Sequence, residues 1–468
     1  MFETDLACLP ASELAALVRS RRVSPVEIVD AVLARIGAVE PRINAFTTIL
    51  PESARAAARA AEAKMVAGEP LGPLHGVPVT IKDLTPMAGV AMRGGSRTTE
   101  GNVPERTAPL VERLVAAGAI VVGRTTTSEF GWKGVSDSPL TGVTHNPWRH
   151  GFNAGASSAG AGAACAAGCG PLHHGSDGAG SIRMPAHFCG VFGMKPSFGR
   201  VPIVPSSNSD NVVHQGTLTR TVADAALMLC SMAGPHPEDY LSLEGAPADY
   251  TAARGGDLSG LRIAFSPDLG HARVDPAVAG LVRAAVEGLP ELGAAVEEVR
   301  PAWGPLGPEL IRFFWPCQYA QYSRLLPRWR DVMEPGLVAC IEASSGKSIA
   351  DLQIMRERKL AYIQAIGAFF KEWDFLVTPA VSTAAFPTGR LMPEGWPTHE
   401  WDWLAWAEFS YPFNFSGNPA ASIPCGFTPD GLPVGLQIVG RRFDDAGVLR
   451  VASVLEAARP WAQHWPAL

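Results

Sequence analysis

In the stretch GSDGAGSIRMPAHFCG, residues 175–190, a serine stands at the end of a run of small residues, with Asp177, Arg183, His187 and Cys189 close by. Gly178, Ala179, Gly180 and Ser181 can aim successive backbone N–H groups at one point. That is the geometry of an oxyanion hole, and their small side chains leave room for a substrate carbonyl. A glycine-rich turn can also cradle a phosphate. This one contains neither GxGxxG nor GxxxxGK[ST], and the Asp177 charge inside it repels anions. A nucleophilic Ser181 is the better reading, and it needs a base to take its proton.

Three kinds of base compete on residue type. His173, His174 and His187 are near in sequence, and Asp177 can orient one of them as in a Ser-His-Asp triad. Residues so close along one turn, however, rarely converge on one point. Lys195, in GMKPS, is a second candidate. Lys82 is a third: it follows Val77, Val79 and Ile81 in an apolar run, where desolvation disfavours the ammonium and favours a neutral, basic amine. A second serine also competes. GASSAG, 155–160, nearly matches the elbow G-x-S-x-G, so Ser157 can itself be read as the nucleophile, although NPWRHGFNAG ahead of it is loop-like rather than a strand. Residue types alone leave two serines and several bases unassigned.

The elements that must position these groups read as an α/β protein. Residues 11–66 have helical patterns, with Ser24-Pro25-Val26-Glu27 as a capping box ahead of Val29, Val32, Leu33 and Ile36 on one face. GVPVTIKDL (76–84) reads as a buried strand. Residues 109–117 read as a helix ended by Gly118, and AIVVGRT (119–125) as a strand. The Gly- and Ala-rich segment 155–200 requires backbones to approach closely. LRIAFSPD (261–268), WDFLVTPA (373–380), PAASIPCGF (419–427) and VGLQIVG (434–440) are further strands. Residues 276–292 read as a helix and 308–373 as mostly helical. The expected organisation is one large unit over 1–468. It has a helical segment at 1–70, a core at 71–220 that carries the candidate chemistry, and a C-terminal half at 260–468 with a helical excursion near 300–370.

Composition bounds the function. The chain has 468 residues, 47% hydrophobic and 18% charged, with 48 glycines and 40 prolines, which suits a large buried core with many turns. A net charge of −6 gives no electrostatic ground for nucleic acid. No apolar run is long enough to span a bilayer, and MFETDLACLP lacks the pattern of a secretory signal. The eight cysteines form no dense framework. Cys165 and Cys169 sit in a small-residue helix pattern with no second pair at ligand spacing, so free thiols in a reducing, cytoplasmic compartment are expected.

The segment GASSAGAGAACAAGCGPLHHGSDGAGSIRMPAHFCGVFGMKPSFGRVP resembles the signature of the amidase signature family. PLHGVPVTIKDL, GRTTTSEF, THNPW and the C-terminal NPAASIPCGF…GLPVGLQIVGRRFDD are similar to its other landmarks, in order. The resemblance implies a three-layer α/β/α fold with a large mixed sheet and a Ser–cis-Ser–Lys triad. By motif, Ser181 is the nucleophile, Ser157 the bridging serine after a cis peptide, and Lys82 the base. It implies oxyanion donors at Gly178–Ser181, with Asp177 and Arg183 bracing the turn, and no metal or organic cofactor. Homodimers are common in the family. Ala156, Ala159 and Ala179 stand where glycines are usual, and each keeps its backbone N–H.

The family hydrolyses amides, ureas and carbamates, and includes the glutaminase subunit of a tRNA-dependent amidotransferase. Members of that last kind place an acidic residue ahead of the segment matching YPFNFSGNP; here the position falls at Ala407, with Glu408 adjacent. The aromatics at 396–415 suggest instead an apolar or aryl-lined pocket mouth, with Trp132, Trp406, Tyr411 and Phe413 as candidate contacts, although the same rings read equally well as core. The expectation is an amidase of hydrophobic or aromatic amides, with carbamates and esters as further substrates. The alternative is the glutaminase component of the amidotransferase.

Overall fold

The computed structural model describes residues 5–207, 211–253 and 255–468, so the first four residues of MFETDLACLP lie outside it. The expected capping box forms. Ser24 Oγ accepts the N–H groups of Val26 and Glu27, and Glu27 accepts that of Ser24, starting the helix Pro25–Ile43. The helical reading of 11–66 fails at one place. Between Pro25–Ile43 and the helix Pro51–Ala67, the β-branched FTTI forms strand β1 (Phe46–Ile49) because a strand edge is there to pair with it.

The remaining strands of the N-terminal half are β2 (Pro78–Lys82), β3 (Ile120–Thr125), the short pair β4 (Asp137–Ser138) and β5 (Gly142–Val143), β6 (Leu172–Asp177), β7 (Phe192–Lys195) and β8 (His214–Thr219). The other half supplies β9 (Arg262–Phe265), β10 (Ala295–Glu298), β11 (Phe375–Pro379), β12 (Ala420–Phe427) and β13 (Pro433–Gly440). Eleven of them form one mixed sheet in the order β1-β3-β2-β6-β8-β7-β12-β13-β11-β9-β10. The two halves of the chain join where β7 pairs antiparallel with β12. At the site, β3, β2 and β6 run parallel, and β6 pairs antiparallel with β8.

Strand side chains alternate between two buried layers. On one face Ile263, Phe375, Val377 and Ile438 pack with the helices Pro276–Val286 and Asp445–Ala458. On the other, Ala264, Leu376 and Val439 meet the helical excursion, whose helices Gly307–Tyr319, Pro335–Glu342 and Ile349–Glu372 carry most of its aromatic core. The close approach expected of 155–200 is also present. A Cβ on Gly160 would stand 2.0 Å from the Ala45 carbonyl oxygen, and one on Gly162 would stand 2.8 Å from Pro185. Among the described residues no helix is long and apolar enough to cross a membrane.

Candidate active site

Lys82 ends β2, and Ser176 and Asp177 end its parallel neighbour β6. The register Thr80↔His173 carries these residues to the same carboxyl edge of the sheet, where open α/β sheets hold their ligands. Lys82 is fully buried, and its Nζ donates to Ser157 Oγ at 2.8 Å and to Ser176 Oγ at 2.9 Å, with the Ser176 carbonyl at 3.3 Å. Burial pulls its pKa down to about 7, against the opposing field of Asp177. The pairing partners are hydroxyls and a carbonyl rather than a carboxylate, so nothing in direct contact holds the charge in place.

Ser157 follows a cis Ala156–Ser157 peptide just before the helix Ala159–Ala166. Its loop is held from both sides: Ala156 N–H donates to the Gly134 carbonyl at 2.8 Å, and Ser158 N–H to the Ser181 carbonyl at 3.2 Å. Ser158 Oγ also exchanges hydrogen bonds with the Ser176 backbone at 3.1 and 3.2 Å. Ser158 is thus the clamp that keeps Ser157, Ser176 and Ser181 together. Among the described residues no hydrogen bond joins Ser157 to Ser181 directly, and both serines open onto one cavity.

Ser181 leaves the turn after β6, just ahead of the helix Arg183–Cys189. Gly180 has φ +113°, and a Cβ there would stand 2.4 Å from Ser410 Oγ, so both conformation and space demand glycine beside this serine. Asp177 braces the turn by accepting the N–H groups of Gly180 (2.7 Å) and Ile182 (3.2 Å) and two bonds from Arg183. Gly180 therefore gives its N–H to Asp177, whereas those of Gly178, Ala179 and Ser181 have no partner among the described residues. Arg183 spends its other donors on the Ser410 carbonyl, Gln437 Oε1 and Asn414 Oδ1. Burial would raise the Asp177 pKa, but Arg183 and the Asn414 amide hold it well below the carboxylate range.

The histidines serve the scaffold. His173 bonds Thr80 Oγ1 and the Gly170 carbonyl, and His174 bonds Gln215. His187 bonds Gly435 N–H and the Thr383 carbonyl. Burial lowers their pKa values to about 4, 3 and 4, so they stay neutral at physiological pH. Lys195 Nζ bonds the Asn418 carbonyl, away from both serines. Cys165 and Cys169 are buried free thiols.

A cavity of about 320 Å³ opens onto Ser157, Ser176, Gly178 and Ser181. Its walls are Leu84, Phe130, Ile203, Val213, Trp315, Tyr319 and Tyr322, with Gln215, Gln318 and Gln321 among them. Phe130 and Tyr322 stack with centroids 4.3 Å apart at 17°, and Tyr319 stacks on Tyr322 at 6.0 Å.

An amidase family model matches residues 27–449. The chain belongs to the amidase signature family. The amidase is 42% identical over 476 aligned positions to an acylamidase of Rhodococcus erythropolis, covering 100% of this chain and 99% of that protein. It is 34% identical to a glutamyl-tRNA(Gln) amidotransferase component from Chloroflexus aggregans, over 99% of each. The structure of a bacterial aryl acylamidase of the same family superposes with a TM-score of 0.90 at 28% identity, over 97% of both chains. The reaction of this amidase is hydrolysis of an amide C–N bond.

Four contacts expected of the amidase pocket belong elsewhere. Trp132, Trp406, Tyr411 and Phe413 are all at most 1% exposed, and none lines the cavity. Trp132 donates to Glu334, and its carbonyl accepts from Trp315 and Trp403; Trp406 packs against Phe188 and Phe386. Tyr411 donates to Glu408, and Phe413 meets Trp303 edge-on. The segment 403–415 turns inward because Ser410 and Asn414 must reach the Asp177–Arg183 pair, which buries its rings behind the amidase site. The aromatics that do line the cavity come from Phe130, in GRTTTSEF, and from 315–322. Ser176, Ser158 and Asn414 also escaped the sequence reading. A second serine in GASSAG and one directly ahead of Asp177 were the available signals.

Proposed function

We propose that the enzyme hydrolyses uncharged aryl and other hydrophobic amides through a Ser181 acyl-enzyme, with Ser157 and Lys82 as its proton relay. The observation that supports this substrate class is the wall of the cavity. Leu84, Phe130, Ile203, Val213, Trp315, Tyr319 and Tyr322 line it beside uncharged hydroxyls and amides such as Thr85, Ser206 and Gln215, and no Asp, Glu, Lys or Arg is among its described lining residues.

In the relay, neutral Lys82 takes the Ser157 proton as Ser157 takes that of Ser181, and Ser181 Oγ bonds to the amide carbon. The developing oxyanion meets the N–H groups of Gly178, Ala179 and Ser181, which need no reorientation to receive it. The proton held on Lys82 then passes through Ser157 to the amide nitrogen as the C–N bond breaks, because an amide anion is a poor leaving group. Water, deprotonated by the same relay, releases the acid. Carbamates and esters fit the same chemistry, and esters require less protonation of the leaving group. Ser157→Ala is expected to keep a weak activity, reduced about 10²–10⁴-fold in kcat, since Lys82 then reaches Ser181 only through water. Steady-state kinetics on an anilide checks this.

The glutaminase alternative requires a grip on charged amino and carboxylate groups. Glu408, the acidic residue nearest the expected position, is tied to His271, Tyr411 and Arg312 and does not line the cavity. A panel of anilides, hydrophobic carboxamides, carbamates, esters and glutamine tests the reading with the purified chain. Anilide cleavage at least about a hundredfold faster in kcat/KM than glutamine is expected, corresponding to roughly 2.7 kcal/mol of transition-state discrimination. Turnover of glutamine without the anilide overturns the reading. A cytoplasmic location goes with this proposal, since all eight cysteines are free thiols, as a reducing compartment requires.

A further inference from the structure

A cluster of charged side chains behind the cavity takes no part in the relay. Glu334 stands directly ahead of the helix Pro335–Glu342. Its carboxylate accepts from Lys133 Nζ and, at 2.8 Å, from Trp132 Nε1, and its N–H donates to Glu129 Oε2 at 2.7 Å. Glu129 and Lys133 are at most 3% exposed. Ser96 Oγ donates to the other oxygen of Glu129 at 2.6 Å, and Lys133 also reaches Asp137 at 2.8 Å. Three residues of one segment, 129–134, thus end on one residue of the helical excursion.

That segment borders the relay. Phe130 and Gly131 line the cavity, and a Cβ on Gly131 would stand 3.2 Å from Ser157 Oγ. The Gly134 carbonyl accepts the N–H of Ala156, the residue before Ser157, at 2.8 Å. The path from 130 to 134 is not one the chain takes by local preference. Phe130 and Gly131 have φ of +49° and +75°, and the bulk of phenylalanine disfavours the first of these. Contacts from outside must hold such a turn. The indoles of Trp315 and Trp403 fix the Trp132 carbonyl, and Glu334 fixes the side chains on either side of it. An ion pair of this kind holds one geometry firmly, because breaking it leaves the buried Lys133 charge short of a partner.

We propose that Glu334 is a positioning residue for the reaction: by locking 129–134 to the helical excursion, it holds Ser157 in line between Lys82 and Ser181. Glu334 does not line the cavity, so it acts through Gly131 and Gly134. The inference rests on the relay proposed above. It links proton transfer to the substrate wall, since Trp315 and Tyr319 belong to the same excursion.

The best-cleaved anilide of the panel and the matching aryl ester test it, since the two share acyl group and ring and differ in the leaving atom. The anilide needs a proton delivered to its nitrogen, whereas the aryl ester leaves with little help, so the ratio of their kcat/KM values reads the placement of Ser157. A loss of folded enzyme or a looser ring pocket changes both values together and leaves the ratio alone. Ser157→Ala is expected to lower the anilide-to-ester ratio at least about tenfold. Glu334→Leu is expected to lower it about tenfold, and Glu334→Gln, which keeps the shape but turns an amide N–H₂ toward Lys133 or Trp132, about threefold. A ratio unchanged in Glu334→Leu while Ser157→Ala lowers it overturns the inference and leaves the relay standing. Where Glu334→Leu does not fold, Glu334→Gln decides in the same way. A ratio unchanged in Ser157→Ala removes the relay, and the inference with it.

Discussion

Ser181→Ala is expected to lower kcat on an anilide by about 10⁵-fold or more, and to abolish the acyl-enzyme. In the proposed relay Ser181 is the nucleophile, and the substitution removes its oxygen. Ser157 lies beside it but is tied to Lys82 Nζ at 2.8 Å and held by the Gly134 and Ser181 carbonyls through its neighbours. Activity that remains is expected from substrate binding and the proposed oxyanion donors, the backbone N–H groups of residues 178, 179 and 181, all of which the substitution leaves in place. The loss is expected in kcat far more than in KM, because the serine oxygen bonds to carbon only during reaction. Rapid mixing with an ester of the same acyl group, followed by intact-protein mass measurement, checks the intermediate. Wild type should gain the acyl mass and Ser181→Ala should not. An acylated alanine variant would assign the nucleophile elsewhere, with Ser157 first in line.

The second large effect belongs to Lys82. With its pKa near 7, about half of the molecules carry the neutral amine at pH 7, about a tenth at pH 6, and about nine-tenths at pH 8. kcat/KM on a neutral amide is therefore expected to rise about tenfold from pH 5 to 6, bend near 7, and level off above 8. Lys82→Met, which fills the space without a base, is expected to cost about 10⁴-fold or more and to remove that inflection. His187→Ala serves as the contrast, since its expected effect is on stability while the inflection stays. If the inflection followed His187 and survived at Lys82→Met, the lysine relay would be wrong. The lysine also links pH to folding. Between about 7 and its ordinary 10.5 the unfolded chain binds the proton that the folded chain does not, so this group's contribution to stability rises with pH across that window. Lys82→Met is expected to flatten that slope, which denaturant midpoints at pH 7 and 9 would register.

The strands that a reader of the sequence can find are those made of apolar or β-branched runs: β2, β3, β9, β11, β12 and β13. Among those that escape, β6, β7 and β8 read LHHGSD, FGMK and HQGTLT. They are fully buried, yet several of their polar side chains find partners, as His173 does with Thr80 and the Gly170 carbonyl and His174 with Gln215. Burial of satisfied polar groups leaves no hydrophobic periodicity to read. The pocket escaped for the opposite reason. The densest aromatic segment, 403–415, looks like a binding surface, but rings are what a large core uses too, and composition does not say which face they take.

The proposed chemistry rests on residue types and their order. Ser181 after a turn of small residues, a serine pair upstream and a lysine ending an apolar run are local features, set by side-chain identity and by the torsions that glycine allows. Which of these groups meet depends on packing in three dimensions. The parallel pairing of β2 with β6 sets Lys82 beside Ser176 and within reach of Ser157, 75 residues away in the chain, which supports the proposed lysine over three histidines nearer in sequence. It also buries that lysine among hydroxyls, and the desolvation this causes lowers its pKa to about 7, as the proposed relay requires. The walls of the cavity were decided in the same way. Phe130, Gln318 and Tyr322 come from segments almost two hundred residues apart, and only the packing of the helical excursion over the sheet edge brings them to one substrate.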